Sequence, residues 1–243
     1  MTQTSIAFAA VAGIFAIALT ACGGGGGGGG STAPPPATTY DLQTGISSLV
    51  SQGQTGNVAL SGTVTQNGTA VSFTGTGTLT LAPAVAATFN NTAALSQSQT
   101  IAGTITAAGQ TIPLPATSVV DYYASGTDAF LGETGASYDV AQAPFTYPTM
   151  VVGGSTGTLG TISNYTDSTM SVSLGTTEVT YAVTAPVDPG SPVLVKVTNL
   201  NKDPMGTVLE TDVTSYTLTG SGILTLTSAS AQSAQITLLA TVQ

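Results

Sequence analysis

The 243-residue chain has no histidine, no tryptophan, one cysteine and only two cationic side chains, Lys196 and Lys202. Each absence excludes something. Without histidine there is no Ser-His-Asp or Cys-His relay, and the usual zinc sites go with it, since carboxylates alone suit harder ions. Two lysines against 11 acids, a net charge of −9, cannot neutralise a run of phosphates, so nucleic acid is excluded as a partner. A lone cysteine allows no internal disulfide, and the fold must hold by core packing. No Gly-Lys of a P-loop occurs. Neither Gly-x-Gly, at 75–77 or 220–222, has a third glycine three residues on, so dinucleotide binding gains no support.

Charge of either sign is scarce, at 5% of residues, yet hydrophobic content is 42%. After residue 22 no stretch approaches the ~20 apolar residues a spanning helix needs. Polarity is carried instead by hydroxyls, with 45 threonines. Threonine is β-branched, so it favours a pleated strand while its hydroxyl serves the solvated face. High hydrophobicity with little net charge is the reverse of a disordered composition. The expectation is an exported all-β protein.

Residues 6–19 form an uncharged apolar run of signal-peptide length, although Met1–Ser5 carries no basic residue. The run ends in Leu19-Thr20-Ala21-Cys22, followed by Gly23. This tetrapeptide resembles the lipobox of bacterial lipoproteins at all four positions. The resemblance implies cleavage between Ala21 and Cys22 and acylation of Cys22, with palmitate-type chains holding the protein to a membrane. It also implies the outer membrane, because Gly23 is not the aspartate that retains many lipoproteins in the inner one. Several acyl chains give stable attachment where one is marginal.

Gly23–Gly30 is an unbroken glycine run, followed by Pro34-Pro35-Pro36. It reads as a flexible tether spanning roughly 15 Å, with a stiffer polyproline segment of ~9 Å behind it. The expected organisation is a signal peptide over 1–21, the lipidated cysteine and tether over 22–39, and one β-rich domain over 40–243. Similar short segments at offsets of 94 and 100 residues would be explained by two related halves, about 57–140 and 145–243.

Asp41 is placed to cap a short helix in which Leu42, Ile46, Leu49 and Val50 share a face, with Gly53 ending it. Period-two alternation follows. Val58–Val64 and Val71–Leu81 flank Asn67-Gly68, a hairpin signal, and Ala108-Gly109 is a second hairpin turn between strands over 100–106 and 110–114. Gly75 and Gly77 interrupt a strand where the sheet is expected to bulge or curl. Further strands read at 118–124, 127–131, 158–164, 169–174, 177–184, 192–198, 207–219, 223–227 and 236–242, and 84–95 has some helical periodicity. Strands at this spacing predict an antiparallel sandwich or a strongly curled, partly closed sheet with one short N-terminal helix.

Carboxylates are the chemistry that remains. Asp121, Asp128, Glu133 and Asp139 fall close together, interleaved with Tyr122, Tyr123 and Tyr138. Clustered oxygens make them candidate calcium ligands, but the spacing does not follow a calcium-loop pattern and solvated loop acids are the simpler reading. A paired-carboxylate glycosidase is a further reading, without the tryptophan platforms sugar sites use. The expectation is a non-catalytic envelope lipoprotein, needing no cofactor, that binds a partner protein or a small apolar ligand. The alternative is a surface-displayed structural or adhesive module. In segment order the chain resembles uncharacterised β-rich lipoproteins with a glycine tether, a class that carries no activity to transfer.

Overall fold

The structure, a computed structural model, describes residues 38–66, 68–188 and 190–243. The signal segment, Ala21, Cys22, the glycine run, Asn67 and Pro189 lie outside the described residues. A short strand β1 (Thr39–Asp41) leads directly into helix α1 (Leu42–Gln52). Fourteen strands follow: β2 (Gln54–Gln66), β3 (Thr69–Leu81), β4 (Val85–Phe89), β5 (Thr92–Ala107), β6 (Gln110–Ala124), β7 (Phe130–Thr134), β8 (Tyr138–Phe145), β9 (Met150–Val152), β10 (Thr156–Tyr165), β11 (Ser173–Val183), β12 (Val193–Lys202), β13 (Val208–Leu218), β14 (Leu224–Ser233) and β15 (Ile236–Val242).

β1 and β9 pair with each other, and the remaining strands form one antiparallel sheet in the order β3-β2-β15-β14-β13-β12-β11-β10-β8-β7-β6-β5-β4. A further pairing joins β3 to β5, from Phe73–Ala107 to Leu81–Gln99. That pairing closes 12 strands into a barrel and leaves β4 appended to the upper part of β5. The all-β expectation therefore holds, while the sandwich or partly closed sheet is replaced by full closure. The reason lies in the glycines. Gly77 and Gly103 face each other across the seam, where a β-carbon on Gly77 would strike the Ala102 carbonyl and one on Gly103 the Thr76 carbonyl. Only bare backbone lets the two strands approach so closely.

Alternation sets which face turns inward. On β3, buried Phe73, Leu79 and Leu81 alternate with Thr74, Thr76, Thr78 and Thr80 on the outer face. Thr74 and Thr76 pair across the seam with Thr106 and Thr104. The hydroxyls thus coat the outside, and Val58, Leu60, Val193, Val195, Leu226 and Leu238 fill the inside.

Helix α1 begins as expected. The Asp41 carboxylate accepts from the Thr44 N–H at 2.9 Å, and the Gly53 N–H closes on the Leu49 carbonyl at 2.9 Å, with Gly53 at φ +68. Its buried face, Leu42, Gly45, Ile46, Leu49 and Val50, seals the barrel end where β13 finishes and β14 begins; Gly45 lies against Leu218 and Leu224. The Gln97 side-chain amide latches the helix to the wall, its Nε2 within 3.0 Å of the Leu49 carbonyl, 3.2 Å of that of Val50 and 3.0 Å of that of Ala82.

Three local readings are corrected. Residues 84–95 form the β4–β5 hairpin, not a helix: Asn90 and Asn91 take positive φ, as a two-residue hairpin turn requires, and Phe89 is drawn onto Tyr122 and Tyr138. Residues 169–172 form a turn ahead of β11, because Asp167 caps it by accepting from the Thr169 N–H at 2.8 Å and Met170 takes φ +54. Residues 110–124 are one strand, not two, the break between them being a bulge opposite Ile101–Gly103.

A candidate ligand cavity inside the barrel

The barrel interior holds a cavity of about 320 Å³. Its chemistry changes along the axis. On β12 the inward positions run Val193, Val195, Val197, Asn199 and Asn201 from the helix end outward, and on β13 they run Leu218, Tyr216, Thr214, Asp212 and Glu210. The floor is accordingly apolar, with Ile46, Leu49 and Val50 of α1 against Leu81, Val179 and Leu226. Toward the other end lies a polar belt, and there Leu174, Leu209, Ala136 and Ser137, all in or beside strand-to-strand turns, border the opening.

The belt is a hydrogen-bonded chain running from strand to strand. Ser137 donates to Asp139 at 2.7 Å and the Asn164 amide donates to the same carboxyl at 2.9 Å. The Thr177 hydroxyl lies 3.1 Å from Asn164 Oδ1 and 2.6 Å from Asn201 Oδ1. Asn201 then donates to Oδ2 of Asp212 at 2.9 Å. On the other flank the Gln99 amide donates to Asp121, and the Tyr123 hydroxyl reaches the same carboxyl at 3.3 Å. Of five buried side-chain atoms without a partner among the described residues, three belong to cavity-lining residues: Oδ1 of Asp212, Oε1 of Gln99 and Oγ1 of Thr214.

Sequence proximity placed Asp121, Glu133 and Asp139 together, and the register explains how. Asp121 is the cross-strand partner of Glu133, and Glu133 of Asp139, so the three stand in a row across β6, β7 and β8. Asp128 does not join them; it sits in the β6–β7 turn at φ +51, away from the cavity wall. Among the described residues, no three such acids approach closely enough to hold one metal ion. Glu210 and Asp212, far along the chain, also face the cavity. Their signal was present as the period-two series Glu210, Asp212, Thr214, Tyr216, Leu218, an inward face carrying polar groups.

Burial dominates the electrostatics. Desolvation pushes the Asp121 carboxyl up to about 6 against the opposing pull of Gln99. It pushes Asp212 up to about 9, with the Glu210 charge adding to it. Glu133 is raised well above the carboxylate range, by burial first and then by the charges of Asp121, Asp139 and Asp212. Asp139 and Glu210 are raised for the same first reason, as are the phenols of Tyr123, Tyr147 and Tyr216. Lys202, the one cation among the residues lining the cavity, is not paired with any of these acids. The only ion pair among the described residues is Lys202 with Glu178 at 2.8 Å, at the belt margin. Taken together, the wall can accept hydrogen bonds, exchange protons, and stabilise positive charge beside an apolar floor.

The class defined so far is a closed 12-stranded antiparallel barrel, helix-sealed at one end, with an amphipathic interior. No protein-family model matches the chain, and neither a curated protein nor a solved structure matches it.

Proposed function

We propose that this chain is a non-catalytic cell-envelope lipoprotein, anchored through an acylated Cys22, whose barrel carries a small ligand with a substantial apolar part. The observation that carries this reading is the cavity of about 320 Å³ with its apolar floor, within the size range of small-molecule sites. Barrels of this kind enclose ligands in their lumen once the strand number exceeds what side chains alone can fill.

The outer face supports a body standing beside the membrane on its tether. A membrane-embedded barrel presents apolar residues outward, whereas β3 here presents Thr74, Thr76, Thr78 and Thr80. In this reading the lipid anchor supplies membrane attachment, and the outer membrane is its location. A non-catalytic role follows from the chain's lack of histidine and of any cofactor-binding motif.

Native mass spectrometry of the protein purified from envelopes without delipidation tests the reading. A discrete added mass that is lost on denaturation is the expected result; a bare protein in every charge state, refractory to added apolar probes, would remove the carrier role. Replacing Cys22 with alanine and following fractionation tests the anchor separately. The variant should leave the membrane pellet; if it stays there as the parent does, acylation is not what holds the protein.

A further inference from the structure

We propose that the ligand of this cavity carries an ammonium group, held at the polar belt that Asp212 and Asp121 line, on an apolar body that lies against α1. The inference rests on the carrier reading above and narrows it to a chemical class, a cationic amphiphile without a phosphate.

Two independent observations support it. First, three of the atoms left without partners are acceptors or hydroxyls deep in the wall: Oδ1 of Asp212, whose residue is 0% exposed, Oε1 of Gln99 at 8%, and Oγ1 of Thr214 at 1%. All three residues line the cavity. Buried polar atoms are rarely left unmatched; Oε1 of Gln99 and the Asp212 carboxylate call for a donor, and the Thr214 hydroxyl can accept one. An ammonium brings three donors and no acceptor.

Second, the interior holds five carboxyl groups, and the one lysine that lines it is paired elsewhere. Lys202 is committed to Glu178 at 2.8 Å, and Lys196 alternates outward on β12 between inward Val195 and Val197. At neutral pH Asp212 and Glu133 hold their protons, and an ammonium guest is a charge beside which they can ionise. Phosphate or carboxylate on the guest would meet repulsion from those of the acids that are ionised at neutral pH, Asp121 among them. Around the opening, Leu209 is 55% exposed and neighbouring Met205 is 92% exposed, a lip that an apolar body can cross.

The titratable and charged groups facing this point are Asp121 and Tyr123 on β6, Glu133 on β7, Asp139 on β8, Tyr147 after β8, Lys202 on β12, and Glu210, Asp212 and Tyr216 on β13. Their raised affinities for protons mean that a bound ammonium displaces protons into solvent.

Decylamine, decanol and decanoate form a matched probe series for the intact protein, measured by calorimetry at neutral pH in two buffers of different ionisation enthalpy. Decylamine should bind at least about tenfold more tightly than decanol, since a charge-assisted bond is roughly twice as strong as a neutral one, and should release protons. Decanoate should be weakest. In Asp212→Asn and Asp121→Asn, decylamine should lose far more affinity than decanol, with circular dichroism reporting an intact fold. If all three probes fail to bind, the carrier reading itself is lost. If decanol or decanoate equals or exceeds decylamine, carriage stands and the ammonium assignment is overturned.

Discussion

Asn201 donates to one oxygen of Asp212 at 2.9 Å while the other oxygen of that fully buried carboxyl has no partner. One hydrogen bond does not offset the loss of water, and the carboxyl is pushed up to about 9. The consequence for stability follows from linkage. Between the unfolded value of 3.8 and about 9 the folded protein holds more protons than the unfolded chain, so stability falls as pH rises across that interval. Asp121 adds to the slope in its lower part, between 3.8 and about 6. Thermal unfolding of the unliganded protein should give its highest midpoint near pH 4 and decline toward pH 9. Asp212→Asn should flatten the upper half of that decline. A midpoint that climbs with pH would contradict the burial of these acids as uncompensated groups.

The same slope should shrink when a cation is bound. Saturating decylamine offers the ionised carboxylates a partner, so the midpoint should gain more at pH 8 than at pH 5. Comparable gains at both values would mean the amine sits away from the acids.

Much of this fold could be read beforehand because it is local. Asp41, Gly53, the Ala108-Gly109 turn and the period-two strands announce themselves within a few residues. What could not be read is what depends on distant pairing. Closure requires β3 to find β5 as well as β2, and Gly75 and Gly77 signalled only that the sheet would bend, not that Gly103 would meet it. The site divides in the same way. Asp121, Glu133 and Asp139 are neighbours in sequence and in register, whereas Asp212 joins them only because the barrel closes. The hairpin at 84–95 escaped because its alanines favour a helix locally, and the Asn90-Asn91 turn with the packing of Phe89 overrode them.

Phe89 is the contact that fixes the appended strand. It is buried on the outer side of the barrel, stacked on Tyr122 at 4.5 Å and on Tyr138 at 5.4 Å, over the bare backbone of Gly132. Truncation to alanine should cost about 3–5 kcal/mol, as for other buried aromatic residues. Denaturant unfolding would measure it. A loss under about 1 kcal/mol would show that the hairpin closes without this stack.

Gln97 joins the helical plug to the wall through three main-chain carbonyls, two of them at the end of α1. Gln97→Leu keeps the bulk but removes a donor that the Leu49 and Val50 carbonyls share with the Gly53 and Ala84 N–H groups, a loss of about 1 kcal/mol. The effect should be local. Amide exchange of 46–53 should accelerate more than that of β12 or β13, because the plug loosens while the barrel wall stays paired. Uniform acceleration along the chain would mean that plug and wall open as one unit.

The seam is where the whole architecture is most exposed to a single methyl group. Gly103 lies opposite Gly77 with its missing side chain aimed at the Thr76 carbonyl and the Gly77 backbone. Backbone cannot yield as a flexible side chain can, so Gly103→Ala must spread β3 from β5 or fail to form the pairing. Overpacking of a tight site costs about 1–3 kcal/mol, and more where the obstacle is main chain. Gly220→Ala is the matched control, since nothing lies within 4 Å of its added carbon and its backbone is not left-handed. The control should unfold within about 0.5 kcal/mol of the parent. The seam variant should lose several-fold more, together with protection of amides along 73–81 and 99–107. If Gly103→Ala keeps both stability and protection, β3 and β5 are not held edge to edge, and the cavity that closure creates would have to be abandoned with them.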